Sequence, residues 1–337
     1  MSVQARVAIQ GAGFALGEIV RSNDDPVFDW LRKHPPAGGE IFDGLKYRRV
    51  LPRAGEVVDI VARACRDAAT GAKVPLDEID LLIGSTSVSE AVAPNGLCRV
   101  HHALGLSPTC RVVPLNTDYG VFLDGLRIAD SMIKTGAAKR ALVACGNNWT
   151  HHVSYHEAVA LAASDAAGAA VLGATDDATR FSLIDCEEAT DTSLLGAFHM
   201  SQRGHGDDPA HGTHAAHHFT TPLMTIDTEK GPAAIKAFGL PVPPKLVATM
   251  LARHGIASQD ITLVAHQSSK SIFDAWNTAI KPGHYVNTLE ELGDMVSSSV
   301  PVNLAKCYAE IKTKYLVLMG IGMEMHATTM LFQRDDK

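Results

Sequence analysis

The sequence predicts a layered α/β fold. Segments with the pattern of buried strands alternate with amphipathic helical segments, which favours mixed layers over separate helical and sheet domains. The chain has 337 residues, 46% of them hydrophobic, and a chain of this length can bury more than one large core. We therefore expect a soluble protein in which helices and sheets pack against each other in several layers.

The first half of the chain is expected to extend to about residue 173. Short apolar runs indicate its strands, and apolar residues spaced three or four apart indicate its helices. In chain order these elements are a strand at Val7, a helix over residues 57–69, a strand at Leu81, a helix over residues 96–104, a helix that begins after Tyr119, and a strand over residues 140–145.

The second half, residues 174–337, repeats this alternation. Its predicted elements are a strand over residues 181–186, a helix over residues 244–254, a strand that ends in His266 and a strand from Tyr315. Residues 199–219 differ, because they are rich in Gly, Asp and His and have no apolar period. We predict a surface loop or lid there. The layout in two halves suggests an ancient duplication.

A tight turn between a strand and a helix is the most informative local feature. Residues 115–126 read as a strand end, a turn with Tyr119 at its tip and a helix start. Such a turn presents a side chain at a helix N-terminus, where free N–H groups and the helix dipole stabilise an oxyanion. With a reference pKa near ~10, roughly one phenol in a thousand is ionised at pH 7, against a few per cent of thiols. A covalent acyl-enzyme is therefore not expected.

Two other segments carry groups suited to the same chemistry. Residues 261–267 form an apolar run that ends in His266, so the imidazole is expected at the C-terminal end of a strand, where active-site groups collect in α/β folds. Asp294 stands on a Gly turn before a helix start. A carboxylate that accepts from one imidazole N–H fixes the tautomer and strengthens the other nitrogen as a base. The candidate site is Tyr119, His266 and Asp294.

Four further segments match a known family in order and spacing. They are Val7 to Gly13, Glu78 to Thr86, the Ser-Asp-Ala-Ala-Gly-Ala-Ala run from Ser164, and the glycine-rich Leu316 to Met325. With the candidate site, the chain resembles the ketoacyl synthase III branch of the thiolase fold, which condenses acyl-CoA primers with malonyl-carrier protein. The resemblance implies a five-layered αβαβα thiolase fold of two similar halves and an isologous homodimer that extends the sheets.

The resemblance also implies departures at the catalytic positions. The family's nucleophilic cysteine falls on Tyr119, its histidine on His266 and its asparagine on Asp294. In decarboxylative condensation the histidine and asparagine donate to an enolate oxygen, and an ionised Asp cannot donate. A like charge about 4 Å away costs roughly 4 kcal/mol at an effective dielectric near 20, about three decades in rate. This argues against ordinary ketosynthase chemistry.

Other residues are assigned to the pocket or left open. We expect backbone N–H groups near Tyr119, Gly322 and Met323 to hold an oxyanion, and Asp118 to line the site. His326 lies near the glycine-rich loop and fits either a pocket position or ordinary packing. Tyr119 itself fits two roles, one catalytic and one structural. In the structural role its ring fills the position of a lost nucleophile and its hydroxyl bonds to a backbone carbonyl. The family's tryptophan that stacks on the CoA adenine falls on Trp30, although residues 33–36 depart from the family pattern.

Three functional classes follow. The first is an acyltransferase that moves an acyl group from a CoA or carrier-protein thioester to an alcohol or amine, with Asp294 orienting His266 as the base. The second is a non-catalytic partner of a Cys-containing paralogue, and the third is a thioester hydrolase. Retained C–C bond formation is a further alternative. We favour the first and expect a polar small-molecule acceptor and no cofactor beyond the thioester substrate.

Composition narrows the partners and the compartment. A net charge of −7 and a pI near 6.1 disfavour nucleic acid as a partner. Six cysteines without C-x-x-C spacing suggest reduced thiols in a cytoplasmic protein, and neither a membrane span nor an export signal is expected.

His211, His214, His217 and His218 follow Asp207 and Asp208 at suggestive spacing, but without a Cys or Glu-x-x-His partner we expect no metal. The turn at Gly11 departs from the glycine spacing of a dinucleotide-binding loop, so we do not expect it to bind a dinucleotide.

Overall fold

The computed structural model describes residues 6–36, 40–91, 93–202 and 222–335. The strands are β1 Val7–Leu16, β2 Ile19–Ser22, β3 Tyr47–Val50, β4 Leu81–Ser85, β5 Arg111–Pro114, β6 Arg140–Asn147, β7 Ala166–Ala174, β8 Ser182–Thr190, β9 Phe198–Gln202, β10 Pro222–Ile226, β11 Ile261–Ala265, β12 His284–Tyr285, β13 Tyr315–Ile321 and β14 His326–Gln333. The α-helices are α1 Asp29–Lys33, α2 Val57–Ala72, α3 Gly96–Leu104, α4 Val121–Lys134, α5 Lys230–Ala234, α6 Val242–His254, α7 Lys270–Ile280, α8 Leu289–Leu292 and α9 Ser299–Cys307. A π-helix, Ile235–Gly239, continues directly from α5.

The main sheet is a repeat of one five-stranded pattern. Its first part has the strand order β5-β4-β6-β7-β1, and its second part has the order β12-β11-β13-β14-β8. Both parts read 3-2-4-5-1 when the strands are numbered in chain order within each part. In both, the last strand along the chain is antiparallel to its neighbours. The parts join where Ala8 of β1 pairs with Ser182 of β8. This repetition supports a duplication, while the boundary after residue 173 stays a prediction.

The helices complete five layers. The central helices α4 and α9 contact strands of both parts of the sheet, α4 through β6 and β13 and α9 through β7 and β11. On the outside, α2 and α3 cover the first part, whereas α6 covers the second part with α7 packed beside it. The order helix, sheet, helix, sheet, helix confirms the predicted αβαβα architecture.

Small residues let the helices approach the sheet closely. A Cβ on Gly13 of β1 would lie 2.2 Å from the backbone nitrogen of Ala68 in α2. On the opposite face, a Cβ on Gly168 of β7 would lie 2.6 Å from the Cβ of Pro301 in α9. Both distances are far shorter than a normal contact, so each position requires glycine. This packing brings the first turn of α9 close to the sheet and fixes the loop before it, which carries Asp294.

The predicted helices and strands are helices and strands in the structure. The structure also contains elements that the sequence analysis did not predict. The helix expected over residues 57–69 runs on to Ala72, and the strand expected over residues 181–186 runs from Ser182 to Thr190. The elements that the sequence analysis did not place include β7, α7 and β14. Residues 199–202 of the predicted lid belong to β9, which pairs with β10, and residues 203–219 lie outside the described part of the chain. Within the described residues, no helix combines the length and apolar character needed to span a bilayer.

The expected dimer has a candidate surface at the outer edge of β5. β5 ends the strand order of the main sheet, so among the described strands it pairs only with β4. An unpaired edge is a natural site for strand pairing between two copies related by a two-fold axis. We expect light scattering at micromolar concentration to give the mass of an isologous homodimer. A single species with the 35.9 kDa mass of one chain would contradict this expectation.

Candidate active site

Tyr119 lies on a short helical turn that leads into α4. The turn spans Asp118–Gly120, and its start is tied to α4 because the Thr117 hydroxyl donates to Oδ2 of Asp124 at 2.5 Å. The Tyr119 ring lies 4.8 Å from the ring of His266 and 5.5 Å from that of Trp149, between ring centroids. The predicted turn with Tyr119 at its tip is therefore present, and it places the phenol beside the imidazole. The side chain of Asp118 lies outside the described part of the structure.

His266 follows β11 directly, as the sequence predicts. Its backbone N–H donates to the carbonyl of Met319 in β13 at 3.0 Å, so His266 extends the pairing of β11 with β13 by one residue. The side chain is only 4% exposed. Nδ1 is buried and has no hydrogen-bond partner among the described residues, whereas Nε2 faces Asp294. Nε2 is therefore the nitrogen that can act on a substrate in this arrangement.

The structure places Asp294 beside His266 but without the expected hydrogen bond. Oδ1 of Asp294 lies 3.8 Å from Nε2 of His266, which is beyond hydrogen-bonding distance. The same oxygen accepts from the backbone N–H of Val296 at 2.7 Å, in a turn where Val296 has a φ of 51°. This turn holds the carboxylate away from the ring. The hydrogen bond by which Asp294 was expected to fix the tautomer is therefore absent between these two residues.

Burial sets the electrostatics of Asp294. Its backbone is fixed by two hydrogen bonds, from its N–H to the Ala162 carbonyl at 2.8 Å and from the Ser164 N–H to its carbonyl at 2.9 Å. Its side chain is 13% exposed. Desolvation raises the pKa of this carboxyl above the ordinary value, although His266 and the Val296 N–H partly oppose the shift. A raised pKa moves the titration of Asp294 toward the range in which enzymes work.

A mostly apolar cavity of about 80 Å³ opens in front of Tyr119 and His266. Beyond these two residues its polar lining is the Ser268 side chain. The remaining lining residues among those described are Phe198, Ile235, Gly239, Ile272, Trp276, Ile321, Gly322, Met323 and Met325. The described lining residues therefore do not form the polar acceptor pocket that the sequence analysis expects. Apolar side chains of α7, the π-helix and the β13–β14 turn converge there instead.

Gly322 and Met323 both line this cavity, but their N–H groups differ. The Gly322 N–H donates to the carbonyl of His326 at 2.6 Å and closes the β13–β14 turn, so it is not available to an oxyanion as predicted. The Met323 N–H has no acceptor among the described residues. It is therefore the backbone donor of this turn that can hold a developing negative charge.

His326 does not line the cavity. Its Nδ1 contacts the Thr190 hydroxyl at 2.5 Å and its Nε2 contacts the Thr328 hydroxyl at 2.8 Å. It lies with Asp124 and Glu188, and one potential ligand atom of each falls within 4.8 Å of the others. Glu188 is also paired with Arg127. The pocket role for His326 is therefore wrong, since its place at the start of β14 directs the ring toward β8 and α4.

Trp30 also lies away from the cavity. It is 40% exposed on α1, and its ring stacks on that of His34 and packs at a tilt against that of His156, with centroids 4.4 Å and 4.6 Å away. Stacking of Trp30 on the adenine of CoA stays a prediction. The histidines from His211 to His218, like Asp207 and Asp208, lie outside the described residues.

The sequence analysis missed the residues that form the far wall of the cavity. Trp276 and Ile272 stand one turn apart on α7, and the Trp276 indole N–H donates to the Gly239 carbonyl at 3.0 Å. A signal for α7 was present, because Ser269 is an N-cap residue whose hydroxyl accepts from the Ile272 N–H. Phe198 and Ile235 carry no comparable local signal.

Comparison with known proteins agrees with this geometry. The model of the 3-oxoacyl-[acyl-carrier-protein (ACP)] synthase III family matches residues 115–192, and the model of its C-terminal part matches residues 251–333. The two matches contain Tyr119, His266 and Asp294. The β-ketoacyl-[acyl-carrier-protein] synthase III of Neisseria gonorrhoeae is 25% identical over 286 residues, which cover 83% of this chain and 84% of that protein.

Solved structures share the fold over the whole chain. FabH of Pseudomonas aeruginosa, a 3-oxoacyl-(acyl carrier protein) synthase III, superposes with a TM-score of 0.79 at 22% identity and covers 98% of this chain and 99% of its own. Xanthomonas campestris OleA, solved with lauric acid and lauroyl-CoA, gives a TM-score of 0.82 at 18% identity and covers 98% and 100%. By its sequence matches and its fold, the chain is similar to the 3-oxoacyl-[acyl-carrier-protein] synthase III proteins of the thiolase superfamily.

Proposed function

We propose that the protein transfers an acyl group from a CoA or carrier-protein thioester directly to an alcohol or amine, without a covalent acyl-enzyme. The observation that supports this proposal is the phenol of Tyr119 beside His266, at the turn onto which the resemblance places the family's nucleophile. Among the described lining residues of the cavity there is no cysteine. Only Cys98 of the cysteines is exposed, and it lies on α3 outside the cavity.

The proposed reaction uses His266 as a proton carrier. Nε2 takes the proton of the acceptor hydroxyl or amine while the acceptor atom attacks the thioester carbonyl carbon. The carbonyl oxygen becomes an oxyanion that the Met323 N–H can hold. When the C–S bond breaks, the thiolate leaves and recovers the proton from His266. An ionised Asp294, 3.8 Å from Nε2, stabilises the imidazolium formed between these steps.

The donor follows from the family. Relatives carry the acyl carrier protein in their names, and one structural neighbour was solved with lauroyl-CoA. We infer that this protein also takes its acyl group from a thioester of that kind, as a homodimer. A heteromer with a Cys-containing paralogue is the alternative, and in that case the isolated chain would have no activity.

The decisive experiment combines turnover with intact-protein mass. The protein is incubated with panels of acyl-CoA and acyl-carrier-protein thioesters and with alcohol and amine acceptors. We expect an acceptor-dependent ester or amide product and no gain of acyl mass on the protein during turnover. A stoichiometric adduct on Tyr119 or Cys145 would overturn the mechanism. Free acid without acceptor product would instead identify a hydrolase, and no product at all would favour the non-catalytic partner.

A second candidate is condensation with C–C bond formation, and the burial of Asp294 favours it. A protonated carboxyl can donate a hydrogen bond to an enolate oxygen, as the family's amide does, so the objection from an ionised Asp is lost when the group is neutral. Desolvation shifts Asp294 toward this neutral form. The two candidates therefore need opposite protonation states of the same residue.

The pH dependence separates these candidates. Because the pKa of Asp294 is raised, its titration lies above the ordinary carboxyl range. Direct transfer needs the ionised form, so kcat is expected to fall as the pH drops through this raised pKa. Condensation needs the neutral form, so its rate would fall as the pH rises through the same pKa. Profiles of kcat against pH for the wild type and for Asp294→Asn distinguish the two candidates. The variant should lose the part of the pH dependence that the titration of Asp294 causes in the wild type.

A further inference from the structure

We propose that Asp124, Glu188 and His326 form a binding site for a divalent transition-metal ion, with Zn²⁺ as the best fit. One potential ligand atom of each residue lies within 4.8 Å of the others. The three residues come from α4, β8 and β14, so the fold brings them together from distant parts of the chain. Glu188 is exposed, which leaves an ion a path from solvent. None of the three lines the cavity beside Tyr119 and His266, so this site does not depend on the acyl transfer proposed above.

The types of ligand select the ion. Zn²⁺ binds imidazole nitrogen and carboxylate oxygen at about 2.0–2.2 Å, and sites with three protein ligands and one water are common. In tetrahedral geometry two such ligand atoms stand about 3.3 Å apart, which shifts of about 1 Å in each side chain would reach from the present separation. Mg²⁺ and Ca²⁺ prefer oxygen ligands alone, so the imidazole of His326 disfavours them.

The charges around these residues favour a cation. Asp124 lies close enough to both Glu188 and Glu324 for their charges to interact. Glu188 pairs with Arg127, whereas Asp124 and Glu324 have no ion pair among the described residues, although both are half-buried. A partly desolvated carboxylate without a counter-ion is unfavourable. Three carboxylates and one guanidinium leave two negative charges when the imidazole is neutral, and one divalent ion balances them.

Hydroxyl groups already orient two of the ligands. The Thr117 hydroxyl donates to Oδ2 of Asp124 at 2.5 Å. Nδ1 of His326 contacts the Thr190 hydroxyl, and Nε2 contacts that of Thr328. When one ring nitrogen binds the ion, the other therefore keeps a hydrogen-bond partner that holds the ring in place. Partners of this kind orient the ligands of metal sites.

A bound ion would join two segments that border the candidate active site. Asp124 follows the Tyr119 turn in the first turn of α4. The His326 carbonyl accepts from the Gly322 N–H and so closes the turn that carries Met323. An ion held between α4 and β14 would therefore fix Tyr119 relative to the Met323 N–H while touching no substrate.

Calorimetry with Zn²⁺ on the full chain, freed of metal with EDTA and then dialysed, tests the site. The wild type is expected to bind one Zn²⁺ here, more tightly than Mg²⁺ or Ca²⁺. Asp124→Asn, Glu188→Gln and His326→Gln each remove one ligand and keep a polar side chain. Each should weaken binding more than about 100-fold, since loss of a ligand's outer partner alone costs about 10- to 100-fold.

Glu187→Gln is the matched control for these variants. Glu187 precedes Glu188 on β8, but its side chain pairs with Arg253. Removing one charge that does not contact the ion should change the affinity less than about threefold, because salt screens such charges.

The melting temperature gives a second readout. With free Zn²⁺ about 100-fold above Kd, the wild type and Glu187→Gln should melt about 4 °C higher than in EDTA. Asp124→Asn, Glu188→Gln and His326→Gln should change by less than about 1 °C. The transition in EDTA shows that each variant is folded.

Each outcome decides the proposal independently of acyl transfer. Loss of binding in all three ligand variants, with the control unaffected, supports the site even if no transfer product is found. A loss of less than about 100-fold in any of the three would place the ion on other side chains and overturn the proposal. Absence of measurable Zn²⁺ binding to the wild type, or tighter binding of Mg²⁺ or Ca²⁺, overturns it as well.

Discussion

Replacing His266 with Ala is expected to lower the turnover of acyl transfer by about 10²- to 10⁴-fold, the usual contribution of a general base. Nε2 of His266 is the nitrogen that faces the site, and its loss leaves the acceptor proton without a carrier. Asp294→Asn should cause a loss in the same range, although it introduces the residue that the resemblance implies for the family, because the amide carries no charge to stabilise the imidazolium. Steady-state kinetics with saturating thioester and acceptor measures both effects.

Tyr119→Phe is the matched control for these variants. It removes one hydroxyl and keeps the ring that packs against His266 and Trp149. If the phenol only shapes the pocket or bonds one carbonyl, turnover should change within about tenfold. Loss of activity in Tyr119→Phe together with full activity in Asp294→Asn would make the phenol the working acid or base and would refute the His-Asp assignment.

Tyr119→Cys is expected to turn a protein that gains no acyl mass into one that gains a single acyl group. The new thiol would stand at the start of α4, where free N–H groups and the helix dipole stabilise a thiolate. A few per cent of ordinary thiols are ionised at pH 7 against roughly 0.1% of phenols, and sulfur is also the better nucleophile. Intact-protein mass after incubation with acyl-CoA measures the adduct.

The control for this variant is Tyr119→Ser, which has a similar small size but no thiol. We expect no adduct with it over the same time. If Tyr119→Cys also remains unmodified while its melting temperature is unchanged, the turn does not present position 119 to the thioester. The site would then have to lie elsewhere in the cavity.

The sequence predicted those parts of the fold and site that depend on local pattern. The run of apolar residues before His266 and the turn around Tyr119 are local features, and both have the predicted form. β7 escaped prediction because its alanines and glycines have low strand propensity and no alternation. Its burial comes from α2 on one face and α9 on the other, which are distant in sequence.

The misplaced side chains depend on geometry that no local pattern contains. The gap between His266 and Asp294 arises from the backbone of a turn in which Val296 has a positive φ. The direction of the His326 ring depends on the register of β14 against β8, where His326 pairs with Thr190. The apolar wall likewise needs β9, the π-helix and α7 to meet, so Phe198 and Trp276 became visible only in the assembled fold.

The repeated strand order means that the site draws on equivalent loops of the two halves. Tyr119 stands between the third strand of the first half and α4, and Asp294 stands between the third strand of the second half and α9. His266 comes from the second half as well. The backbone of Asp294 is hydrogen-bonded to Ala162 and Ser164 of the first half, so a small sliding of one half over the other would change the contact of His266 with Tyr119 and its contact with Asp294. Positions that only set how the halves stack, such as Gly168 under Pro301, thus govern the alignment of the reacting groups while touching no substrate.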